Sequence, residues 1–90
     1  MKYLLTQTAS DNLDEIIRYT DDKFGENQTE EYLKGLTYSF ELLSENPFMG
    51  KAYDENRRRY LFRMHHVYYK LLPEHILIIE IRNARLAAPD

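Results

Sequence analysis

The 90-residue chain contains no cysteine and no tryptophan, and only three glycines and three prolines. Without thiols, neither disulfides nor thiolate metal centres can brace the fold. No Gly/Ser-rich linker, low-complexity tract or internal repeat divides the sequence, so residues 1–90 read as a single domain. No apolar run approaches the ~18 residues of a membrane span, and the N-terminus lacks the basic-then-apolar pattern of a secretory signal. A cytoplasmic protein with no membrane partner is the expectation. Also missing are a glycine-rich phosphate loop, an H-E-x-x-H helix and a nucleophile elbow. The histidines are His65, His66 and His75, and the adjacent pair would point to opposite faces of a strand rather than chelate one metal. No metal and no cofactor is expected.

What is present is globular: 43% of residues are hydrophobic and 13% aromatic. A chain this small buries only about 60–65% of its unfolded surface, so a partner that adds burial would matter to it. The net charge of −3 argues against simple nucleic-acid binding, and no sequence-specific DNA contact is expected. Its distribution is uneven. Residues 1–50 carry 4 basic and 10 acidic side chains, residues 51–90 carry 8 and 5. Such asymmetry can orient a charged partner, although two solvated acidic helices preceding a basic sheet edge would produce it too.

Tyr3 to Thr8 is short and β-compatible. Thr8-Ala9-Ser10-Asp11 fits a capping box, after which Leu13, Ile16, Ile17 and Phe24 recur at helical spacing. Gly25 can end that helix in the left-handed conformation. Asn27-Gln28-Thr29-Glu30 repeats the capping pattern, and Tyr32, Leu33, Leu36, Phe40 and Leu43 form a second apolar stripe that Asn46-Pro47 stops. Strands follow around Tyr60–Phe62, Val67–Leu72 and Ile76–Ile81, with a turn at Pro73-Glu74-His75. The last is apolar on both faces through Ile79, which predicts a central strand covered at least partly on both sides. The expected fold is α+β, in the order β-α-α-β-β-β, with a helical hairpin packed on a mostly antiparallel sheet.

The chemistry concentrates in arginine. Arg57-Arg58-Arg59 and Arg63 flank one strand, and Arg82 and Arg85 follow the last. Guanidinium pairs bidentately with carboxylate or phosphate and stays charged near neutrality, so strands that bring these segments together would create an anion-binding face. Arginine on an edge strand also discourages aggregation, which is the plainer explanation. Within the cluster Arg57 ranks last. Tyr68 and Tyr69 are expected to serve packing more than base stacking.

Gly50-Lys51, Arg58-Arg59-Tyr60, His66-Val67-Tyr68-Tyr69 and Ile78-Ile79-Glu80-Ile81-Arg82 resemble the ParE branch of the ParE/RelE toxin superfamily. The first half agrees, through Ala9, Leu13, Ile16-Ile17, Tyr19, Phe24-Gly25 and the turn Pro47-Phe48-Met49-Gly50. The resemblance implies a type II toxin neutralised by a cognate antitoxin, ParD-like or other. ParE-like members poison DNA gyrase and block replication; RelE-like members cleave mRNA on the ribosome. Metal-free RNA cleavage needs a base, a cation and a proton donor. Ribonuclease members commonly place a His or Tyr near the last strand or tail, whereas no His or Tyr follows His75 here. The expectation is therefore a non-enzymatic gyrase poison with target-binding candidates Arg58, Arg59, Arg63, His66, Arg82 and Arg85. The alternatives are a ribosome-dependent endonuclease using Arg59, Arg82 and His66, or a degenerate member that only binds antitoxin. Two positions depart from the family ending: Asn83 stands where relatives often have histidine, and Ala87 where an acidic residue follows Arg85.

Overall fold

The computed structural model describes residues 2–85. Strand β1 (Lys2–Leu5) leads into helices α1 (Gln7–Phe24) and α2 (Glu26–Glu45), followed by β2 (Lys51–Ala52), β3 (Arg58–Phe62), β4 (His65–Leu71) and β5 (His75–Asn83). The strands form one sheet in the order β1-β5-β4-β3-β2. Only the β1–β5 pair is parallel; the other neighbours are antiparallel. The expected α+β fold is present, with one addition. A two-residue β2 extends the sheet past β3, too short to leave an apolar-alternation signal.

The helix boundaries differ from the capping motifs. Thr6, not Thr8, caps α1: its Oγ1 accepts a 3.0 Å hydrogen bond from the Ala9 amide. The first strand correspondingly ends at Leu5. Gly25, at φ 87°, ends α1 and also begins α2, which has no side-chain cap. Thr29 uses its hydroxyl to donate to the Gly25 carbonyl instead of capping. One glycine in a conformation other residues avoid thus makes the whole connection between the helices. Phe24 is 63% exposed and does not belong to the apolar stripe.

The helices cover one face of the sheet. Leu36, Phe40 and Leu43 of α2 and Ala9 and Ile16 of α1 pack on Val67, Tyr69, Ile76, Ile78 and Ile81. Tyr3 meets Phe40 edge to face at 5.4 Å, and Tyr32 meets Phe62 at 5.3 Å. Strand β5 lies inside the sheet as expected, with Leu77 and Ile79 only partly covered on the other side. The Pro47–Gly50 turn closes over the Tyr69 hydroxyl, which donates to the Pro47 carbonyl at 2.8 Å and accepts from the Gly50 amide at 3.0 Å. A Cβ at Gly50 would lie 2.6 Å from that hydroxyl and 2.9 Å from the Arg59 carbonyl, so only glycine fits.

Candidate functional site

Alternation along β4 sends His65, Val67 and Tyr69 toward the helices and His66, Tyr68 and Lys70 to the opposite face. Strand pairing then assembles that open face in rows. Lys51, Arg59, Tyr68 and Glu80 lie side by side across four strands, and Leu61, His66 and Arg82 across three. Tyr68 is only 1% exposed although no helix covers it. Its cover is polar. The Arg57 guanidinium sits 5.6 Å from its ring centre and that of Arg82 6.0 Å, while Tyr53 packs edge-on at 4.9 Å. Arg57 and Arg59 each lie 5.0 Å from the centre of the Tyr53 ring. Packing against aromatic rings restricts these guanidinium groups and holds their positive charge on this face.

Two carboxylates temper the charge. Arg57 pairs with Asp54 at 2.9 Å and with Glu80 at 3.3 Å, and Arg82 lies 4.0 Å from the other Glu80 oxygen. The hydrogen bond from Arg57 holds the Asp54 carboxyl below its ordinary value. Among the described residues, five cations (Lys51, Arg57, Arg59, Lys70 and Arg82) share the face with these two acids, so this part of it is basic on balance.

Of the arginines and the histidine singled out above, the structure gathers Arg59, His66 and Arg82. Arg57, ranked last, sits at their centre, with its charge engaged by Asp54 and Glu80. Arg58 points to the other side of β3, where it donates to the Gly50 carbonyl at 2.5 Å and the Phe48 carbonyl at 3.3 Å and braces the Pro47–Gly50 turn. Arg63 occupies the tip of the β3–β4 hairpin, at φ 50°. Arg85 is exposed beyond β5, in a turn where its amide donates to Asn83 Oδ1 at 2.9 Å. Asn83 therefore caps this turn. Ala87 lies outside the described residues.

A second feature escaped the sequence reading. Between α1 and the ends of β4 and β5 runs a groove of about 380 Å³. Ile16 and Ile81 line it together with Glu15, Tyr19, His65 and Arg82. His65 Nδ1 is 2.6 Å from the Tyr32 hydroxyl, and burial lowers the imidazole below its ordinary value. Burial likewise raises the Tyr32 phenol, against a Met64 amide donation and the Arg63 charge. Arg82 borders both the groove and the open face. Periodicity cannot reveal such a groove, because its walls are distant in sequence, α1 ending at Phe24 and β4 beginning only at His65. Among the described residues no cluster of His, Asp or Glu could hold a metal ion, and no helix is long and apolar enough to cross a membrane.

Residues 3–86 match the family described as the ParE toxin of the type II toxin–antitoxin system parDE. The chain belongs to the ParE toxin family. It is 30% identical over 89 residues to Toxin ParE1 of Mycobacterium tuberculosis, an alignment covering 94% of this chain and 91% of the relative. Toxin ParE1 of Caulobacter vibrioides is 36% identical over 56 residues, 62% of this chain and 57% of that protein. The fold is also that of a solved structure described as a chromosomal ParDE system from P. aeruginosa, with a TM-score of 0.79 and 18% identity over 92% of this chain and 95% of that one. The expected ParE-type family and fold are therefore shown, and with them the toxin half of a type II toxin–antitoxin system.

Proposed function

We propose that this ParE-type toxin poisons DNA gyrase by binding it through the open sheet face, and that an antitoxin segment neutralises the toxin from the α1–β5 groove. The observation that carries the first part is a cluster of arginines held against aromatic rings, Arg57 and Arg82 over the buried Tyr68 and Arg59 over the half-buried Tyr53. Held guanidinium groups lose little freedom on pairing with carboxylates, which suits recognition of an acidic protein surface. They do not suit base stacking, because the Tyr68 ring is already covered. For the second part, a disordered antitoxin tail can fold into an apolar groove with polar walls. Arg82 lines both places, so a tail pairing with it would draw one guanidinium away from the target face. The cytoplasm, where gyrase works, is the compartment this reading requires.

The test is a supercoiling and DNA-cleavage assay with folded toxin in excess over gyrase. Loss of supercoiling with accumulation of cleaved DNA is expected, and uninhibited gyrase would overturn the proposal. One observation favours the ribonuclease reading: His66 lies directly across from Arg82 in the β4–β5 register, an imidazole beside a cation on one face. Primer extension on transcripts during growth arrest distinguishes the two, since new 5′ ends appear only if mRNA is cleaved.

A further inference from the structure

The β4–β5 ladder slips by one residue near its middle. Tyr69 faces Ile78 and Tyr68 faces Glu80, which leaves Ile79 as an extra residue on β5. By plain alternation Ile76, Ile78, Glu80 and Arg82 would all point the same way. Ile76 and Ile78 are fully buried under the helices. An unbroken strand would therefore drive Glu80 and Arg82 into the core and turn Ile81 out of it. The bulge reverses the parity: Ile81 is 4% exposed in the core, and Glu80 and Arg82 stand beside Arg57 and Tyr68.

A bulge frees backbone groups that need partners. It falls where β1 stops, since Leu5 opposite Ile78 is the last residue of the parallel pair. From there α1 takes over. The Thr6 amide donates to the Ile78 carbonyl at 3.0 Å, and the Thr6 hydroxyl donates to the Ile79 carbonyl at 2.5 Å. Asn12 Oδ1 accepts from the Ile81 amide at 2.9 Å. Two side chains on the helical side thus replace the missing strand on both sides of the bulge.

We propose that Thr6 and Asn12 are positioning residues of the basic face: they hold the Ile79 bulge that turns Glu80 and Arg82 outward. The functional consequence rests on the reading that this face meets the target; the geometric one does not. The experiment uses the full chain carrying Thr6→Val or Asn12→Leu, which lose the hydroxyl or the acceptor at similar size, beside Thr6→Ser and Asn12→Asp, which keep them. Each is checked for folding by circular dichroism. Two readouts follow, gyrase inhibition and the Nε–Hε resonance of Arg82, which senses the Tyr68 ring.

Thr6→Val and Asn12→Leu are expected to shift that resonance and weaken inhibition about tenfold, the value of one charge-assisted contact, whereas Thr6→Ser and Asn12→Asp preserve both. A chain lacking Ile79 supplies the decisive background. There the Tyr68–Glu80 and Tyr69–Ile78 pairs become consecutive, and alternation alone puts Glu80 and Arg82 on the open face. In that background Thr6→Val and Asn12→Leu should leave the Arg82 resonance in place. An unmoved resonance in the folded Thr6→Val and Asn12→Leu chains that retain Ile79 overturns the proposal, as does an equal shift with and without Ile79. If the unaltered toxin leaves gyrase uninhibited, the target reading fails while the resonance still decides the positioning role. Should one variant not fold, the other carries the same test.

Discussion

Tyr68 and Tyr69 are neighbours on one strand, 1% and 0% exposed, and they are buried by opposite means. Tyr69 lies under the helices and the Pro47–Gly50 turn, where its hydroxyl satisfies one amide and one carbonyl. Tyr68 lies on the open face beneath two arginines and a second tyrosine. The first kind of burial stabilises the fold through apolar area and completed hydrogen bonds. The second orders charged groups whose removal costs the fold little, because exposed and half-exposed ion pairs contribute about 0–1 kcal/mol. The helix-covered face is thus where stability resides, and the open face is where charge is presented.

The sharpest break in that contrast comes from the covered side. Phe40→Ala, which empties a fully buried site under β1 and β5, should cost about 3–5 kcal/mol in urea unfolding. Tyr69→Phe removes the hydroxyl that holds the turn and leaves the Gly50 amide without its partner, at about 1–3 kcal/mol by the same measurement. A Tyr69→Phe chain as stable as the parent would show that the turn is held by other means.

Next in size is the effect of pH through His65. Its folded value is lowered by burial from 6.5. The unfolded chain therefore takes up a proton that the folded chain resists, so this contribution is complete above pH 6.5 and is lost as pH falls through the lower folded value. Thermal melts at about pH 7.5 and about pH 5.5 should show a larger drop for the parent than for His65→Gln. Parallel curves would exclude His65 as the source.

The smallest stability effect is expected from Arg59→Ala and Arg82→Ala, each about 0.5 kcal/mol or less for a surface position, together with a marked loss of gyrase inhibition. Equal losses of stability and of inhibition would blur the distinction between the two faces.

Much of this division was legible beforehand. The apolar stripe from Leu36 to Leu43 identified α2, and the run from Ile76 to Ile79 identified an interior strand. The same run concealed the bulge, because four apolar residues in succession carry no parity from which to place Glu80 and Arg82. Arg58 and Arg59 are adjacent and chemically identical, yet one braces a turn and the other joins the open face. Only the register of β3 against β4 separates them. Local caps misled for a related reason: Thr6 outcompetes Thr8 because it also bonds to β5, a contact 73 residues away in sequence.

The most direct measurement is gyrase supercoiling in the presence of the parent toxin and of a folded Arg59→Ala/Arg82→Ala chain at matched concentration. The account predicts inhibition by the parent and its loss in the double variant, with thermal stability nearly unchanged. Full inhibition by the double variant would contradict the assignment of target binding to the open face.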